Sequence, residues 1–131
     1  MIAAVHALTG AVLGGVCGSR TQALLVGGVS HLAADALPHR DLELPEEALL
    51  LGIALGVIAL KCSWDSREFA GAVGAALPDV ENLVARVLDV PESQMILPTH
   101  RGYHGRETRG FGGQILLSLG CLASLFLPRS R

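Results

Sequence analysis

Aromatic and charged side chains are both scarce in this chain. One Trp, one Tyr and three Phe make up 4% of its 131 residues, and Asp, Glu, Lys and Arg together make up 17%, against about 25% charged in typical soluble domains. Basic residues are not in excess. The formal net charge of -2 argues against a nucleic-acid-binding module, which is normally basic. Cysteine is confined to Cys17, Cys62 and Cys121, widely spaced and each in or beside an apolar run. With no CxxC pair and an odd count, they argue against a disulfide framework and read as small core residues in a reducing compartment. Residues 1–16 lack a basic leading region and place His6 inside the apolar part, so no signal peptide is expected there. No linker divides the chain, and its length fits a single domain able to bury a core.

Apolar residues, in contrast, are plentiful. They form half the chain, with sixteen Gly and a mean hydropathy of +0.48. The mixture of Ala, Leu, Val and Gly suits helices that approach closely in lipid. Residues 2–16 predict a Gly-rich helix and residues 22–36 a second, with Ser19 or Thr21 as its N-cap. Pro45-Glu46-Glu47 is a good start for a third helix running through the apolar stretch 48–60. Asp65 or Ser66 caps a fourth over 67–76, closed by Leu77-Pro78-Asp79, and 80–89 continues as a short amphipathic helix. The last helix is 111–127. A bilayer span needs about 20 apolar residues, with about 17 the minimum, and only 111–127 reaches that limit. Residues 48–60 and 111–127 are nevertheless apolar almost all round, which a small soluble bundle rarely needs. The expected fold is therefore an all-α bundle of four to five apolar helices, integral to or deeply embedded in a membrane, with a soluble bundle of unusually apolar helices as the alternative.

The chemistry concentrates in residues 30–39, Ser-His-Leu-Ala-Ala-Asp-Ala-Leu-Pro-His. His31 and Asp35 are four apart and share a helix face. Pro38 disfavours helix at Leu37, so His39 emerges just past the end. Two imidazoles and a carboxylate suit zinc or a similar divalent ion, although a single helical His is more often a satisfied core residue than a ligand. Leu-Pro followed by a polar residue recurs at Leu37-Pro38-His39, Leu77-Pro78-Asp79 and Leu97-Pro98-Thr99-His100. Glu81 lies two residues beyond Asp79, and His104 four beyond His100. If these ends meet, His6, His31, Asp35, His39, Asp79, His100 and His104 are the candidate ligands. Arg101 and Arg106, amid glycines, offer guanidinium forks for phosphate oxygens, and metal with arginine is the combination expected for phosphoester hydrolysis. Asp79 or Glu81 would serve as general base. Arg101, Arg106 and Arg109 fit lipid headgroup contact equally well. Asp41, Glu43, Glu46 and Glu47 read as a solvated loop rather than as catalytic carboxylates.

With these motifs in view, the chain resembles the membrane-bound metal-dependent hydrolase family of small bacterial and archaeal inner-membrane proteins, itself similar to the all-helical zinc-dependent phospholipase C and single-strand nuclease proteins. The counterparts are His6, Ser30-His31-Leu32-Ala33-Ala34-Asp35, Leu77-Pro78-Asp79-Val80-Glu81 and His100-Arg101-Gly102-Tyr103-His104. Their order differs from the family's, Glu81 stands where a second Asp is usual, and the last His pair is one residue closer. The resemblance implies a zinc-dependent enzyme of the inner membrane acting on a phosphoester, a small molecule or a lipid. A non-catalytic protein with a structural metal or polar helix-packing site, or an interaction subunit, is the alternative expectation.

Overall fold

The structure is a computed structural model that describes residues 1–96 and 110–127. Among these there are five helices and no strand: α1 (Ala3–Gly14), α2 (Arg20–Asp35), α3 (Leu44–Cys62), α4 (Arg67–Val87) and α5 (Gly112–Phe126). A single 3-10 turn, Glu92–Gln94, follows α4. The all-α class expected from the sequence is met.

Local chemistry explains the helix starts. Ser19 Oγ accepts from Gln22 N at 3.1 Å and Ser66 Oγ from Phe69 N at 3.0 Å, each satisfying one of the orphan donors of a first turn. Pro45 sits in the first turn of α3, followed by Glu46 and Glu47. One expectation is corrected: α4 does not stop at Leu77-Pro78-Asp79 but runs on through Pro78 to Val87. Proline removes one rung of a helix at a cost of about 3 kcal/mol. Here the turn is held from outside, because Gly71, Ala72, Gly74, Ala75, Ala76 and Pro78 are all buried. Asn82 Nδ2 also donates to Pro78 O at 3.1 Å.

Packing is closest where α4 meets α1 and α2. Gly10 and Gly14 of α1 lie against Gly71 and Arg67 respectively, so these two helices are antiparallel. On α2, Gly27 lies against Gly71 and Ala75, and His31 against Ala75 and Asp79, so α2 and α4 run the same way. A Cβ at Gly71 would collide with Gly10 O and lie 2.9 Å from Gly14 Cα; one at Gly74 would collide with Leu24 O. Only glycine permits backbones this close.

The core is built from small side chains. Ala7, Ala11, Ala23, Ala72 and Ala75 have no exposed surface, whereas Leu60 is 90% exposed, Val16 80% and Leu116 73%. Leu8, Leu51, Ile58 and Leu125 are buried with these alanines, but many other large aliphatic side chains face outward. No helix among the described residues is long and apolar enough to cross a membrane, so the spanning segments expected from composition find no counterpart here.

The first residues of α1, α3 and α5 meet at one end. Glu47 of α3 accepts from Ala3 N at 2.8 Å through Oε2 and from Leu42 N at 3.0 Å through Oε1. Buried Gln114 of α5 accepts from Ile2 N at 2.9 Å and donates to Arg40 O at 2.7 Å. Glu47 is thus a structural tie between α1, α3 and the 36–43 loop rather than part of a solvated loop.

Candidate metal centre

At that end, α1, α2 and α4 bring four chemically active side chains together. His6 and Asp35 are almost wholly buried and His31 is fully buried; Asp79 is mostly buried, its side chain 14% exposed. The two imidazoles stack at 4.0 Å between centroids, 27° from parallel. His6, His31 and Asp79 each present a ligand atom, and these atoms all lie within 4.8 Å of one another.

The hydrogen bonds define which atoms remain available. Burial alone would raise the Asp35 carboxyl, but nearby His31, His6 and the Met1 ammonium outweigh it and hold the group ionised, well below the usual carboxylate range. An ionised carboxylate only accepts. Asp35 Oδ1 therefore takes hydrogens from His6 Nε2 at 2.9 Å and from the Met1 ammonium at 2.7 Å. Burial pushes His6 down to about 4, only partly offset by Asp35, so its ring is neutral near pH 7 and Nδ1 carries a bare lone pair. His31 Nδ1 donates to Ala75 O at 2.9 Å, in the turn that Pro78 deprives of a rung.

His31 Nε2 lies 3.2 Å from Asp35 Oδ2 without hydrogen-bond alignment. Two lone pairs facing each other at that distance repel, unless a proton or a cation lies on the ring nitrogen. In the absence of a metal the proton takes this role. Burial lowers the His31 value, but the Asp35 and Asp79 carboxylates more than offset it, and the net shift is upward. Asp79 moves the other way from an ordinary acid. Burial, with Asp35 and Glu47 adding repulsion, raises it from 3.8 to about 7 despite the attraction of His31 and the Met1 ammonium.

Within the cluster, His6 Nδ1, His31 Nε2, Asp35 Oδ2 and Asp79 Oδ2 are buried with no hydrogen-bond partner among the described residues. Buried polar atoms are nearly always paired, and leaving one unpaired costs about 1–3 kcal/mol. Two imidazole nitrogens with carboxylate oxygens form a donor set suited to zinc or another divalent ion. The residues fit the group. The Asp35–His6 hydrogen bond is the kind of outer contact that orients a ligating histidine.

His6, His31, Asp35 and Asp79 are thus gathered as the sequence suggested. His39 is buried but stands apart from the triad. Its Nδ1 donates to Leu37 O at 2.7 Å and its Nε2 lies 3.4 Å from Asp41 Oδ1. Asp41 Oδ1 in turn lies 3.0 Å from the Met1 ammonium, so that chain of charges links His39 to the cluster. Glu81, two residues beyond Asp79 on a continuous helix, emerges on the opposite side and accepts from Ile96 N at 2.6 Å. His100, Arg101, His104 and Arg106 lie outside the described residues. The Met1 ammonium, Gln114, Glu47 and Ala75 O were not anticipated. A carbonyl carries no sequence signal, although Pro78 inside an apolar helix was a pointer to the loosened turn. Comparison of the chain with protein-family models, with curated proteins and with solved structures found no match.

Proposed function

We propose that the chain is a metal-dependent hydrolase of the membrane acting on a phosphoester, in line with its resemblance to the membrane-bound metal-dependent hydrolases. His6, His31 and Asp79 would hold one divalent ion, zinc by the nature of the donors. Asp35 would orient His6 and balance the charge. The observation that carries this reading is the set of buried, unpartnered nitrogen and oxygen atoms converging from three helices. A divalent ion there supplies Lewis acidity toward a phosphoryl oxygen and makes water more acidic. Asp79, raised to about 7 in the metal-free protein, would act as a ligand rather than as the general base, since a bound cation holds a carboxylate ionised. His100 and His104 as further ligands, and Arg101 and Arg106 as phosphate contacts, remain part of the proposal. The many outward leucines and valines support contact with an apolar surface, in this proposal lipid.

The test is elemental analysis of purified protein, wild type beside His31→Ala and Asp79→Asn. About one zinc per chain in the wild type, lost in both variants, is the expected result. Protein without stoichiometric transition metal, or a metal content indifferent to His31→Ala, would remove the proposal. A second reading is favoured by one observation: Asp35 already ties α1 and α2 together through His6 and Met1. On that reading the cluster is a polar lock or a closed structural metal site. An ion with an exchangeable water position favours catalysis; a filled shell favours the lock.

A further inference from the structure

A cavity of ≈ 70 Å³ adjoins the cluster between α3, α4 and the 36–43 loop, with Asp79 in its wall. Leu42, Leu44, Leu51 and Leu83 make much of the lining apolar, Arg86 is the one guanidinium in it, and Met1 and Asp41 stand at the same wall, paired with each other at 3.0 Å. Asp79, Leu83 and Arg86 follow one another at helical spacing and share a face of α4. Arg86 sits seven residues, about 10 Å, further along the axis than Asp79. Helical side chains lean toward the start of their helix, so the Arg86 position suits a guanidinium reaching back toward Asp79. Glu47 lines the same cavity, but its two oxygens already accept from Ala3 N and Leu42 N. Among the described residues Arg86 forms no ion pair, and the Asp79 carboxyl ends in an unpartnered buried oxygen. A guanidinium at one side, a candidate ion at the other and leucines between them describe a ligand with an oxyanion and an apolar group.

We infer that Arg86 binds the phosphate of a phosphoester whose organic part is an alkyl or acyl chain packed on Leu42, Leu44, Leu51 and Leu83. The inference rests on the hydrolase reading for the class of substrate, but the anion site has its own test. Binding of inorganic phosphate and of hexyl phosphate is measured by calorimetry on the full chain, with and without zinc, for wild type, Arg86→Gln and Leu83→Glu. Hexyl phosphate should bind more tightly than inorganic phosphate. Arg86→Gln should weaken both by about tenfold or more, the loss expected for a charge-assisted pair, with zinc content unchanged. Leu83→Glu, which sets a carboxylate against the same anion, should do likewise and serves if the first variant fails to fold. Vesicles of phosphatidylcholine with and without phosphatidic acid separate the sources. Arg86-dependent binding to the acidic vesicles marks a lipid, and binding of hexyl phosphate alone marks a soluble ester; either supports the site. Equal binding by wild type and folded Arg86→Gln, or no phosphate binding by the wild type, overturns it. Arg86-dependent phosphate binding by a chain that takes no zinc would sink the metal reading alone.

Discussion

Gly71→Ala should destabilise the protein, although alanine is the better helix former. The substitution gains about 1 kcal/mol from helix propensity. Against this, the new Cβ collides with Gly10 O and lies 2.9 Å from Gly14 Cα, and these are backbone atoms of another helix that no rotamer change can move. Overpacking costs about 1–3 kcal/mol and more where the backbone must shift. Taking the upper end because α1 must move bodily, the balance is about 2 kcal/mol of lost stability, or roughly 8 °C in Tm for a domain of this length. The site should suffer too, since the α1–α4 and α2–α4 crossings at Gly71 set the positions of His6 and His31 relative to Asp79. Thermal unfolding followed by far-UV circular dichroism measures the first effect and zinc titration the second. Gly56→Ala is the control: nothing lies within 4 Å of its Cβ position, so it should be neutral or slightly stabilising. A Gly71→Ala protein as stable as wild type would refute the close-packing argument.

Zinc affinity should rise with pH up to about 7 and then level off. Asp79 must lose a proton before it can ligate, and burial raises it to about 7; below that point affinity should fall by up to about tenfold per pH unit for each proton the ion displaces. His31, also raised, acts in the same sense, while His6 at about 4 is already neutral. A flat profile from pH 5 to 8 would contradict the assignment. In metal-free protein, Asp79 ionises in the unfolded chain from pH 3.8 but in the folded one only near 7, so its contribution to stability is lost as pH rises across that interval. Asp79→Asn removes the loss and should gain on wild type between pH 4 and 7 by at most about 4 kcal/mol, read from urea unfolding at the two pH values; no pH-dependent difference would refute it. Gln114→Ala strands Ile2 N in the buried start of α1 and removes the bond to Arg40 O, and chemical denaturation should show a loss of about 1–3 kcal/mol, against none if water replaces the amide.

The helices were legible because apolar runs, Ser caps and Pro45 act locally. His31 and Asp35 were legible for the same reason, since four residues on a helix is a spacing that needs no tertiary information. His6 and Asp79 join them only through the crossings at Gly10, Gly71 and Gly27, which sequence periodicity does not reveal. Pro78 misled as a terminator because its cost is local while the packing that outweighs it comes from α1 and α2. Glu81 misled because proximity in sequence is not proximity on a helix: two residues apart means opposite faces. Glu47 read as part of a solvated loop and Gln114 stood unmarked in an apolar run, because their backbone partners lie 44 and 112 residues away.

The central claim is that His6, His31 and Asp79 share one divalent ion. X-ray absorption of the zinc-loaded chain tests it most directly. The account predicts imidazole scattering from histidine at about 2.0–2.1 Å together with carboxylate oxygen at about 2.0–2.2 Å, the imidazole signal falling by one ring in each of His6→Ala and His31→Ala. A spectrum without histidine scattering, or one unchanged in both variants, would contradict it.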